Sequence, residues 1–174
     1  ERYIRDYGIS AAGQALGIPA TVTVSGAAAY NNSYEASSVQ AFAAAGDPSL
    51  LRVAQVDYVK PEQMQSQEFG YRGKLSITFT VDAAVYRNDF QDFINTQVVL
   101  SPLYGEVGDG GLSVLAMANQ DFETWSSYTN SPAEISSWGI SIGMATKIFG
   151  NFDLSGSYTK AKLEFEQDLY PDFR

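Results

Sequence analysis

Apolar and polar residues alternate strictly in the second half of the chain. Between residues 75 and 86 the odd positions are apolar and most even positions are polar or small. The odd positions carry Leu75, Ile77, Phe79, Val81, Ala83 and Val85, and the even positions carry Ser76, Thr78, Thr80, Asp82, Ala84 and Tyr86. A period of two indicates a β-strand rather than a helix. Strands that cross a membrane need roughly 9–11 residues, whereas soluble proteins average about 5–6, so this run is long enough for a membrane strand.

A second alternating run lies between residues 137 and 148. Its apolar members are Trp138, Ile140, Ile142, Met144 and Ile148, with Thr146 as the polar exception. The other positions carry Ser137, Gly139, Ser141, Gly143, Ala145 and Lys147. Small and polar residues on one face are typical of the water-facing wall of a wide barrel rather than of a packed core.

Two tight turns are predicted to join these runs into hairpins. A turn at residues 72–74 pairs Tyr71 with Leu75 and Phe69 with Ile77. A turn at Gly150 and Asn151 pairs Ile148 with Phe152, Thr146 with Leu154 and Ile142 with Tyr158. Apolar residues then face apolar partners, and a slip of one residue would destroy this match. Short turns at one end and long segments such as 95–119 at the other are typical of outer-membrane barrels.

Aromatic residues occur near both ends of these strands. Phe69, Tyr71, Phe149 and Phe152 lie at the short-turn end, and Trp138 and Tyr158 lie toward the opposite end. Two such groups predict the interfacial girdles of a membrane barrel. Arg87 and Lys160 share the apolar parity at the edge of the apolar span, where long basic side chains reach toward water.

The first 62 residues are irregular in pattern and rich in Ala, Ser, Gly and Asn. They predict a short strand at 21–24 and a helix at 37–45 that Ser37 or Ser38 caps and Gly46 ends. Asp47 and Pro48 suit a second helical start. We therefore predict an extracellular loop region with a short helix over residues 1–62, and barrel strands with their connecting loops over residues 63–174.

Composition excludes several classes of function. The net charge is −9, the pI is near 4.3 and only 11 residues are Lys or Arg, which argues against nucleic acid as a partner. Histidine and cysteine are both absent, so the commonest general base and the commonest metal ligand are missing. No nucleophile elbow or triad can be assembled. We predict no catalytic residue, no metal site and no cofactor, and hence no enzyme.

Hydropathy favours a barrel without proving one. Mean hydropathy is −0.15 while aromatic residues reach 13%, and no apolar run of roughly 20 residues exists for a membrane helix. These values fit a membrane barrel, in which every second residue faces lipid, and they also fit a secreted β-sandwich. The first residues are charged without an apolar segment after them, so no signal peptide is predicted within this chain.

Several segments resemble the barrels of TonB-dependent receptors. The stretch 59–73, VKPEQMQSQEFGYRG, resembles their P-E-x-x-x-S-x-E-x-G-Y-K-G segment, and 84–94, AVYRNDFQDFI, resembles their Y-Y-N-x-Y-x-D-F-I ending. Residues 128–130, 137–140 and 154–163 resemble a consecutive strand pair, with Ser141 where most members have Glu. The loop helix at 38–51 and the closing stretch 168–173 resemble the Bacteroidetes branch that includes SusC-like importers.

The resemblance implies an importer in the bacterial outer membrane, driven through TonB, with a plug inside a barrel of about 22 strands. Its partners would be its own plug and remaining strands, TonB, a SusD-like surface lipoprotein, and the lipid and lipopolysaccharide around it. The cargo would be a nutrient such as a glycan, a peptide or a metal chelate. The predicted fold is all-β: about four antiparallel strands of a larger transmembrane barrel, because four strands cannot close one. The alternatives are a passive, porin-like barrel and a secreted, soluble β-sandwich that binds glycans.

Two groups of residues are candidates for function. Asp121, Trp125, Tyr128 and Asn130 combine carboxylate, amide and aromatic groups suited to binding a sugar or peptide; alternatively they stiffen an extracellular hairpin. Glu68, Arg72, Asp82 and Lys147 are predicted to face the lumen, where they contact the plug or a solute or merely line a hydrated wall. The run 105–111 is glycine-rich and acidic and lacks the context of a phosphate loop.

Overall fold

The computed structural model describes residues 3–150, 152–165 and 170–173. In chain order its elements are β1 (Ile4–Gly8), α1 (Ala11–Ala15), β2 (Thr21–Ser25), α2 (Ala28–Asn31), β3 (Tyr34–Glu35), α3 (Ala36–Ala45), a 3₁₀ turn (Pro48–Leu50), β4 (Gln63–Lys74), β5 (Phe79–Gln91), β6 (Ile94–Pro102), α4 (Leu112–Ala118), β7 (Phe122–Asn130), β8 (Ile135–Ile148) and β9 (Phe152–Phe165). Among these described elements, no helix has the length and apolar character needed to cross a membrane.

The chain forms two compact units. Unit 1 comprises Glu1–Lys60, Ile94–Ser131 and Asp168–Arg174, and unit 2 comprises Pro61–Phe93 and Pro132–Gln167. Unit 1 contains a β1–β2 hairpin and a small sheet in the order β3-β6-β7. Unit 2 contains one sheet in the order β4-β5-β8-β9, in which every neighbouring pair is antiparallel.

The unit 2 sheet confirms the predicted strands. Its strands have 12, 13, 14 and 14 residues, beyond the roughly 9–11 that a tilted membrane strand needs. The register of the second hairpin is as predicted, because Ile148 pairs with Phe152, Thr146 with Leu154 and Ile142 with Tyr158. Asn151, in the predicted turn, lies outside the described residues.

The predicted register of the first hairpin is wrong. Tyr71 pairs with Ala83 and Phe69 with Val85, because the chain turns at residues 75–78 instead of 72–74. The hydroxyl of Ser76 stabilises this turn by accepting the backbone N–H groups of Thr78 and Phe79 at 3.3 and 3.1 Å. The partner of Tyr71 therefore moves from residue 75 to residue 83, an even shift, and every side chain keeps its predicted face.

The two faces of the unit 2 sheet differ in polarity. By register, one face carries a continuous apolar band formed by Phe69, Tyr71, Val81, Val85, Ile140, Ile142, Met144, Leu154 and Tyr158. The other carries Gly70, Arg72, Asp82, Ser141, Gly143, Ser155, Ser157 and Thr159. One apolar and one polar face are typical of a barrel wall between lipid and water.

Unit 1 has its own apolar core on both faces of the β3-β6-β7 sheet. On one face Leu100 packs with Val39 and Phe42 of α3. On the other, Val99 packs with Ala29 of α2 and with Val56. Successive residues of β6 therefore point into separate clusters, as the pleat of a strand requires.

Helix α3 begins one residue earlier than predicted. It covers Ala36–Ala45 and ends at Gly46, whose φ of 70° is left-handed, as predicted. The prediction that Ser37 or Ser38 caps it is wrong, because Glu35 occupies the cap position, and its side chain makes no capping hydrogen bond. Asp172 instead accepts both the backbone N–H and the hydroxyl of Ser37 at 2.7 Å. A residue distant in sequence thus satisfies a free N–H group of the first turn.

We expect Asp172→Ala to destabilise α3 by about 1–2 kcal/mol, the usual cost of losing a side-chain cap. Hydrogen exchange of the α3 amides should quicken accordingly. Asp172→Asn, which keeps one acceptor oxygen, should lose less stability than Asp172→Ala. If hydrogen exchange of the α3 amides in Asp172→Ala equals that of the wild type, the cap does not stabilise the helix.

Candidate functional site

The four predicted ligand-binding residues lie on β7 or directly before it, and the structure does not bring them together. Trp125 pairs with Val99 and Tyr128 pairs with Thr96 on β6. Three residues apart on a strand, the two aromatic side chains point to opposite faces of the sheet. They therefore cannot form one aromatic platform.

Asp121 is a buried centre of hydrogen bonding. It is 4% exposed and accepts the backbone N–H of Ser10 at 2.8 Å, the hydroxyl of Ser10 at 2.8 Å and the phenol of Tyr104 at 3.0 Å. Burial raises the pKa of the Tyr104 phenol, which remains a neutral donor to the carboxylate. These contacts connect the start of α1 to the segments before and after α4. Asp121 therefore has a structural role in unit 1.

Asn130 and Trp125 are also held by the protein. The Asn130 amide accepts the backbone N–H of Lys60 at 2.6 Å and donates to the Lys60 carbonyl at 3.0 Å. Trp125 packs edge-on against Tyr3, with ring centroids 5.6 Å apart. Tyr128 differs from both, because 65% of it is exposed. Among the four, Tyr128 alone presents its ring to solvent.

A groove that sequence reasoning missed lies in unit 1. Its volume is about 640 Å³, and α3, β6, the end of α4 and β7 form its walls. Side chains that contribute to its lining include Val39, Phe42, Val98, Leu100, Gln120 and Phe122. By register Phe122, Thr124, Ser126 and Tyr128 share one face of β7, so Tyr128 lies on the same face as the groove, four residues beyond Thr124 of its lining. Pockets of 300–1,000 Å³ lined mainly by apolar groups are typical of small-molecule sites.

Gln120 gives the groove its one strained backbone position. Its φ is 61°, a left-handed value that is uncommon outside glycine. The buried contacts of Asp121, the next residue, hold the chain in this conformation. The apolar run at 98–100 and Phe122 were the available sequence signal, but nothing in the sequence indicated that α3 would cover them.

The four predicted lumen charges share the polar face of the unit 2 sheet. Arg72 pairs with Asp82 on the neighbouring strand, with Nε to Oδ2 at 2.8 Å, and Lys147 lies 3.5 Å from Asp153. Glu68 lies opposite Tyr86 on the same face. A cavity of about 670 Å³ opens beside Arg72 and Asp82. These ion pairs are solvent-exposed, so each contributes at most about 1 kcal/mol to stability.

Comparison with known protein families matches residues 17–173 to the family described as "TonB dependent receptor-like, beta-barrel". The match covers both units of the chain. Comparisons with curated proteins and with solved structures gave no match.

Proposed function

Because the chain belongs to the TonB-dependent receptor-like β-barrel family, we propose that it forms part of the barrel wall of an energised importer. The family consists of outer-membrane transporters of Gram-negative bacteria, whose members have a plug domain and interact with TonB. The observation that carries the proposal is the unit 2 sheet, with strands of 12–14 residues and one apolar face. A soluble β-sandwich is excluded by the family match.

The strand lengths support a wall that crosses the bilayer. Fourteen residues, at roughly 3.3 Å each, extend about 45 Å along the strand. Tilted by about 45°, such a strand rises about 30 Å, which exceeds the roughly 25 Å apolar band of outer-membrane barrels. The polar face would line the lumen, where Arg72, Asp82, Glu68 and Lys147 meet the plug or a passing solute.

We assign unit 1 to the external vestibule, where the cargo first contacts the protein. The exposed ring of Tyr128 and the groove on the same face of β7 supply aromatic and apolar surface, and Gln120 contributes an amide to the groove lining. Such a surface suits a glycan, a peptide or a chelate with an uncharged portion. The resemblance of the loop helix supports the SusC-like branch and a SusD-like lipoprotein partner; part of the closing segment, residues 168–169, lies outside the described residues.

Energy dependence tests the function directly. The whole protein should support uptake of its nutrient in cells with TonB, and uptake should stop in cells lacking TonB or treated with a protonophore. A passive barrel of the porin type would continue to admit the nutrient under both conditions, and that result would overturn the proposal.

Tyr128→Ala should weaken binding of the imported nutrient roughly tenfold, because stacking on an exposed ring contributes about 1 kcal/mol or more. Titration of the nutrient onto the purified whole protein measures this effect. Ser126→Ala is the matched control, since Ser126 lies on the same face of β7 without an aromatic ring. Equal affinities of the two variants would remove Tyr128 from the binding surface.

A further inference from the structure

Three basic residues, Arg87, Lys160 and Lys162, cluster around Trp138 at one edge of the apolar face of unit 2. Arg87, Trp138 and Lys162 are directly opposite one another on β5, β8 and β9, so their side chains share the apolar face. Lys160 lies two residues before Lys162 and opposite Ile140 on the same face. Neighbouring strands are about 4.8 Å apart and alternate residues about 6.7 Å apart, so these four side chains surround one small area.

The face is layered along the strand direction. The apolar band, with Val85, Ile140 and Ile142, is followed by the basic row, and the basic row is followed by Asp89, Ser136 and Glu164. A membrane lipid has the same order of layers, since its acyl chains lead to an anionic phosphate. The basic row therefore lies at the height where phosphate would be found beside a lipid-facing wall.

The basic groups are accessible to a ligand. Arg87 contacts Asp89 at 3.0 Å and Lys162 contacts Glu164 at 2.8 Å, yet the two basic side chains are 65% and 58% exposed. The indole of Trp138 donates to Glu164 at 3.4 Å, between them. Among the described residues no ion pair is found for the exposed Lys160. With three cations against two carboxylates, the area retains a net positive charge.

We propose that this cluster is a binding site for the phosphorylated head group of an outer-leaflet glycolipid of the lipid A type. The hairpin turns at 75–78 and after Ile148 mark the opposite end of the sheet, and short turns lie on the periplasmic side of outer-membrane barrels, so the cluster faces the outer leaflet. The acyl chains lie along Val85, Ile140 and Ile142, and Arg87, Lys160 and Lys162 contact the phosphate. Arginine supplies bidentate hydrogen bonds, and the two lysines act as point charges.

Native mass spectrometry of the whole protein in detergent, titrated with phosphorylated lipid A, tests this proposal. The triple variant Arg87→Gln, Lys160→Gln, Lys162→Gln should bind the lipid at least about tenfold more weakly, since each basic residue near an anionic surface changes binding several-fold. Phosphate-free lipid A should bind the wild-type protein and the triple variant equally weakly. Inorganic phosphate at millimolar concentration should not displace the lipid, because it lacks the acyl chains.

The matched control is Lys74→Gln with Lys147→Gln, which removes two basic residues from the polar face of the same sheet. This variant should keep wild-type lipid affinity. Equal affinities of the triple variant and the wild type, or equal affinities for the two forms of lipid A, would overturn the proposal. Concentration-dependent dimerisation that the triple variant abolishes, without any lipid effect, would assign the cluster to a second copy instead. TonB-dependent uptake by the triple variant, measured in parallel, separates failure of this site from failure of the import function.

Discussion

Replacing Ile142 with lysine should destabilise the folded barrel by about 2–4 kcal/mol, the cost of a basic side chain near the middle of the lipid-facing surface. Ile142 lies in the apolar band between Ala83 and Tyr158, and six residues follow it before the hairpin turn after Ile148. A lysine there cannot reach either membrane surface without exposing its charge to lipid. Equilibrium unfolding of the whole protein by denaturant, in lipid vesicles, measures the change.

Ser141→Lys is the matched control for Ile142→Lys. It introduces the same residue one position away, on the polar face beside Ala84 and Thr159. Its charge would remain in water, so the expected change is below about 1 kcal/mol. Equal losses in the two variants would show that the faces of β8 are not in different solvents.

Asp121→Ala should destabilise unit 1 by about 3 kcal/mol, because it removes three hydrogen bonds to a carboxylate and leaves one buried and two partly buried donors unsatisfied. The N–H and hydroxyl of Ser10 and the phenol of Tyr104 all lose their acceptor. Amides of α1 should therefore exchange far faster with solvent, while amides of β8 keep their protection. Hydrogen exchange followed by mass spectrometry resolves the two regions.

Two further variants define the role of Asp121. Asp121→Asn retains one acceptor oxygen and should lose less stability than Asp121→Ala. Glu106→Ala removes an acidic side chain from an exposed position of the same unit and should change little. If Asp121→Ala exchanges like the wild type but binds the nutrient more weakly, the residue contacts the cargo, as the sequence predicted.

Alternation along the chain predicted the unit 2 sheet well. Successive residues of a strand between lipid and water face the two environments in turn, so they alternate between apolar and polar side chains. The second hairpin was predicted with the correct register, since its apolar partners lie close to a short turn. The first failed because Leu75 and Ile77, which extend the alternating pattern, lie in the turn and are 61% and 98% exposed. The hydrogen bonds that the Ser76 hydroxyl accepts stabilise the turn at residues 75–78, and the pattern of apolar residues gives no information about such bonds.

Unit 1 was far less predictable. Its central contacts join Ser10 to Asp121 and Ser37 to Asp172, separations of 111 and 135 residues, and no local pattern indicates such pairs. The candidate site was partly recoverable, however. Trp125 and Tyr128 are three residues apart, so a strand necessarily places them on opposite faces, and the spacing already excluded a shared platform. The groove depends on α3 packing over β6, which only the fold reveals.

A nitroxide scan of β8 tests the central claim that this sheet separates lipid from water. The chain contains no cysteine, so each single cysteine placed between residues 138 and 145 of the whole protein is the only one within this segment. In lipid vesicles, spin labels at 138, 140, 142 and 144 should be accessible to oxygen, and labels at 139, 141, 143 and 145 to a water-soluble nickel reagent. Accessibility that alternates with a period of two is the predicted result, and equal access of the nickel reagent to both sets would contradict the barrel wall.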